Sequence, residues 1–85
     1  MRLDAQSREL LEEVLKARGG DRPALRGIAD RNHISDSEVE ALCLMITEEF
    51  IETGLGPDDE PNERGRRLER LLDGVNRQRT GRVRQ

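Results

Sequence analysis

The hydrophobic positions fall into four groups at helical spacing, separated by glycine, proline and acidic stretches. Leu3, Leu10, Leu11, Val14 and Leu15 form a one-sided stripe, which predicts a helix over about 4–18. Asp4 or Ser7 suits its N-cap. Gly19-Gly20 ends it, because glycine tolerates the left-handed conformation after a last turn. The second group is shorter. Asp21 is a cap, Pro23 lies in a first turn where its missing N–H costs nothing, and Ala24, Leu25, Ile28 and Ala29 form an inner face. That pattern predicts a helix over about 22–32, closed by Asn32-His33.

The third group has the clearest local code. Ser35 and Glu38 are spaced as a capping box, and Ile34 before the cap can pack on Val39 as a hydrophobic staple. The helix is expected over about 36–53, with Gly54-Leu55 as a Schellman stop that folds Leu55 back on Phe50. Val39, Leu42, Cys43, Ile46 and Phe50 share one face, whereas Leu44, Met45 and Ile51 lie off it. A helix apolar nearly all round its middle is central or belongs to an interface, so this helix is the expected hub.

Residues 56–61 (GPDDEP) form a loop by composition, after which Asn62 caps a helix over about 62–75. Leu68, Leu71, Leu72 and Val75 sit at i, i+3, i+4 and i+7. Gly65 falls on the same stripe, where it lets another backbone come close at some cost in helix propensity. From Asn76 onward four arginines and no periodic apolar face predict a disordered basic tail over 76–85. The expected fold is therefore an all-α, four-helix small domain spanning 1–75.

Eighty-five residues make one domain at most. Chains this short bury only about 60% of their unfolded surface, so the helices must be well capped and tightly packed, or a second copy must complete the core. With no Trp, no Tyr and only Phe50, stacking platforms for bases or sugars are almost unavailable. The single cysteine, Cys43, forms no internal disulfide and suits a reducing compartment. Met1-Arg2-Leu3-Asp4 opens no signal-peptide core, and no apolar run approaches the roughly 20 residues of a membrane span. A cytoplasmic protein that does not enter a membrane is expected.

Charge is segregated along the chain. Residues 32–63 hold ten carboxylates and no lysine or arginine, whereas residues 64–85 hold eight arginines against Glu69 and Asp73. The net charge of −3 thus hides blocks of +1 (1–31), −10 (32–63) and +6 (64–85). The acidic block coincides with the most apolar helix. Glu48, Glu49 and Glu52 lie near its C-terminus, where the helix dipole disfavours negative charge. Arginines of the fourth helix or the tail, or a basic partner, are expected to offset them.

Candidate chemistry is sparse. His33 reads as a turn residue, and Cys43 as a small hydrophobe among Val39, Leu42 and Ile46. Zinc would need further Cys or His ligands, and Asp58-Asp59-Glu60 lacks the alternating spacing and central glycine of a calcium loop. Gly54 and Gly56 flank a leucine and precede acid, which repels phosphate. No catalytic, metal or cofactor residue is assigned, and an enzyme is not expected.

Residues 24–55, ALRGIADRNHISDSEVEALCLMITEEFIETGL, resemble the helix–turn–helix core of winged-helix regulators, in which an "IA…IS…EVE…L" pattern precedes a helix ending in "E.GL". Glu63-Arg64-Gly65-Arg66-Arg67-Leu68 is similar to the turn after a wing, and the likeness runs over roughly residues 8 to 75. The resemblance implies a DNA-binding transcriptional regulator with the 36–53 helix as its recognition helix. That helix, however, carries Asp36, Glu38 and Glu40 in its first turns, and DNA affinity comes largely from cations facing phosphates. A nucleic-acid contact would therefore fall to Arg64, Arg66, Arg67, Arg70, Arg77, Arg79, Arg82 and Arg84.

The leading expectation is a non-catalytic helical protein-interaction or regulatory module, either a homodimer or bound to a basic partner in the manner of an antitoxin or immunity protein. Its expected interface is Glu40, Leu44, Met45, Glu48, Glu49, Ile51 and Glu52. DNA binding through the arginines is the alternative.

Overall fold

The computed structural model describes residues 2–18, 25 and 27–78, and in them three α-helices, α1 (Ala5–Arg18), α2 (Asp36–Thr53) and α3 (Glu63–Asn76). α3 packs more extensively on α2 than on α1, so α2 and α3 form the central pair. One core lies between the three helices. Leu10, Leu11 and Val14 enter it from α1, Val39, Leu42, Met45 and Ile46 from α2, and Leu68, Leu71 and Val75 from α3. The apolar stripes of the first and last helices thus bury most of the residues that their periodicity singled out, with Leu3, Leu15 and Leu72 half-buried at the edge of the core.

Three helices are present among the described residues where the sequence suggested four. In the second expected helix (22–32) the described residues form no α-helix; Ile28–Asp30 is a 3₁₀ turn, and residues 22–24 and 26 lie outside the described set. Gly27 has φ +71°, a left-handed conformation that interrupts any α-helix through it. The burial pattern survives that change. Leu25, Ile28 and Ala29 are buried, and Arg8 of α1 forms an ion pair with Asp30 at the end of the turn.

Local codes set the helix starts. Asp4 caps α1, with its carboxylate accepting from the Ser7 N–H at 2.7 Å. Ser35 and Glu38 form the reciprocal capping box on α2, and Arg31 grips the same Glu38 carboxylate with both terminal guanidinium nitrogens. These contacts, led by the Ser35 N–H and then Arg31, hold the Glu38 carboxyl below its usual range. Ile34 and Val39, the two staple positions, are both buried.

The end of α2 differs from the expected Schellman stop. Gly54 is right-handed (φ −94°, ψ −4°), its N–H still bonds to the Phe50 carbonyl, and Leu55 makes an isolated antiparallel bridge with Pro61. The reason lies in the packing of α2 against α3. A Cβ at Gly65 would land on the Gly54 carbonyl oxygen, and one at Gly54 would sit 3.0 Å from the Gly65 Cα. Glycine is required there by proximity and not by a left-handed turn. Asn62 locks the crossing. Its side chain accepts from the Gly65 N–H at 2.7 Å, its Nδ2 donates to the Thr53 carbonyl, and its backbone N–H donates to the Gly54 carbonyl. The chain between the helices returns through a tight turn at 56–60, with Asp59 at φ +62°.

The boundary set for the tail also moves. α3 includes Asn76, and Arg77 and Gln78 continue it as a turn. The Gln78 amide accepts from the Arg2 N–H and donates to the Arg2 carbonyl, so it ties the end of α3 to the segment before α1. A polar side chain here does what an apolar stripe does elsewhere. The remainder of the expected tail, 79–85, lies outside the described residues.

Candidate functional site

At 3.6 residues per turn, successive residues of α2 are rotated by about 100°, so the seven interface candidates cannot share one side. The structure divides them. Glu40, Leu44 and Ile51 are exposed and Glu48 is half-buried, on the side of α2 away from the core. Leu44 and Ile51 are 56% and 64% exposed, the exposed large hydrophobics among the described residues. Met45 is wholly buried, which corrects its place among the surface candidates: it faces opposite to Thr47 and belongs to the core.

Glu49 is only 6% exposed and is corrected likewise. Arg18 at the end of α1 donates from Nε to Glu49 Oε1 at 2.6 Å, and Arg64 at the start of α3 donates to Oε2 at 3.0 Å. Thr53, one turn on, donates its hydroxyl to the same Oε2 and accepts from Arg64 Nε. The second guanidinium branch of Arg18 reaches Glu52 at 2.8 Å, and Arg64 also approaches Glu13 of α1 at 3.5 Å. One carboxylate therefore binds all three helices. The Arg18 contact, opposed by burial and reinforced by Arg64 and Thr53, pulls the Glu49 pKa down to about 2.

This arrangement answers the unfavourable placement of Glu49 and Glu52 at a helix C-terminus. Arg64 was foreseen as a counter-charge, whereas Arg18 was not. Its only sequence signal was a cation in the last turn of the first helix, where the dipole favours one in any case. Glu49 thus acts inward, Glu52 stays exposed while paired with Arg18, and Glu40 and Glu48 lie on the side of α2 away from the core.

Beside the outer face, α2 and α3 leave an open apolar groove of about 150 Å³, lined by Ile46, Thr47, Phe50, Leu68, Glu69 and Leu72. Phe50 and Leu72 are half-buried and pack against the edge of the core. The sequence had placed Phe50 and Leu72 wholly in core stripes. Only the separation of two helix axes shows that their outer edges remain open. Cys43 is half-buried along the same α2–α3 seam, with its thiol directed at Asn76 Oδ1 at 3.5 Å. His33 is exposed between the 3₁₀ turn and α2.

The arginine candidates are dispersed. Arg64 is engaged with Glu49, and Arg77 pairs with Asp73 at 2.8 Å. Arg66, Arg67 and Arg70 are exposed on α3. Arg67 and Arg70 flank a shallow depression of about 60 Å³ shared with Glu9 and Glu13 of α1. Arg79, Arg82 and Arg84 lie outside the described residues. Among the described residues no group of three or more His, Cys, Asp or Glu is arranged to hold a metal ion, and no helix is long and apolar enough to cross a membrane.

No family model matches the chain, and no curated protein or solved structure matches it either.

Proposed function

We propose that this chain is a non-catalytic helical interaction module that binds protein through the outer face of α2 and the adjoining α2–α3 groove. The observation that carries this reading is the exposure of Leu44 and Ile51, two turns apart on one side of a helix whose other large apolar residues are buried or, at Phe50, half-buried. Specific interfaces place apolar residues at the centre of a polar rim, and here Glu40, Glu48 and Glu69 surround the apolar positions. A proton-transfer role finds little support. The one buried carboxylate among the described residues, Glu49, is clamped by two arginines with its pKa near 2, far from the neutral range that general acid–base catalysis needs.

The test combines sedimentation at micromolar concentration with selection of helical segments from a displayed library. Either self-association or the selected binding is expected to disappear in the double variant Leu44→Glu/Ile51→Glu. A clean monomer that enriches no binder dependent on either residue overturns the reading.

Exposed Arg66, Arg67 and Arg70 on α3 favour a second reading, DNA binding in the manner of the winged-helix regulators. A salt titration against duplex DNA separates the two. Affinity that falls steeply with salt and is lost in Arg66→Ala/Arg67→Ala/Arg70→Ala supports DNA, because each phosphate contact releases counterions.

A further inference from the structure

We draw no further inference here: the strongest candidate, the apolar surface that exposed Leu44 and Ile51 form beside the α2–α3 groove at Phe50 and Leu72, carries nothing beyond the interaction face already described, because nothing in the structure shows what covers it.

Discussion

Replacing Glu49 with glutamine keeps the side-chain shape and an acceptor for the Thr53 hydroxyl, but it removes the charge that Arg18 and Arg64 both face. The folded pKa lies at about 2 against an ordinary 4.5. At about 1.4 kcal/mol per pH unit, that difference corresponds to about 3 kcal/mol of stability at neutral pH. Truncating a buried ion pair typically costs about 3–5 kcal/mol, and the guanidiniums here have an outlet. Their side chains are 20% and 34% exposed and can turn to water once Glu49 is neutral, which places the cost at the lower end. Because the folded pKa is depressed, the stabilisation is complete above about pH 4.5 and is lost as pH falls through about 2. Asp4 and Glu38, whose carboxyls are also held low, weaken in acid in wild type and variant alike. The informative quantity is therefore the difference between the two proteins. Urea unfolding followed by circular dichroism suits a chain without Trp or Tyr. The wild type should exceed Glu49→Gln by about 2–3 kcal/mol at neutral pH, with less than half of that remaining near pH 3. A difference that does not change with pH, or one below about 0.5 kcal/mol at neutral pH, refutes the argument.

Other substitutions probe packing and capping. Gly65→Ala, which would stabilise an ordinary helix interior by about 0.5–1 kcal/mol, should instead destabilise by about 2 kcal/mol or more, because its Cβ collides with the Gly54 carbonyl. Gly74→Ala is the contrast, since its Cβ meets only the flexible end of Leu3 at 2.8 Å; thermal melts should show it within about 1 kcal/mol of wild type and clearly above Gly65→Ala. Met45→Ala, in the core, should cost about 2–5 kcal/mol in urea unfolding, against about 0.5 kcal/mol or less for exposed Leu44→Ala. Ser35→Ala removes one arm of the α2 capping box and should cost about 1 kcal/mol, read from the same urea curves.

Much of the fold was legible because its signals are local. A capping box spans four residues and an amphipathic stripe eight, so Ser35 with Glu38, and Leu68 through Val75, need no knowledge of distant chain. Asn62 was readable as a cap for the same reason, whereas its second and third tasks, holding the Thr53 and Gly54 carbonyls, were not. The short segment before α2 was misread as a helix. Its apolar spacing reported the burial of Leu25, Ile28 and Ala29 correctly, but nothing in that spacing distinguishes a 3₁₀ turn at Ile28–Asp30 from α-helix. The left-handed Gly27 decides between them.

The candidate site was legible as a region and not as a surface. From the sequence alone came the helix, its surplus of apolar residues and its unbroken acidity, all properties of the chain itself. Which residues of that helix face outward was decided by where α1 and α3 lie against it. Met45 and Leu44 are neighbours in sequence and equally apolar, yet a rotation of about 100° sends one into the core and the other into water. Glu49 shows the same division most clearly. Its acid was visible in the chain, but its meaning depended on Arg18, 31 residues before it, and Arg64, 15 residues after it, meeting at one carboxylate. Electrostatic energy depends on distances of a few ångströms in a partly desolvated place, and only the packing of three helices sets those distances.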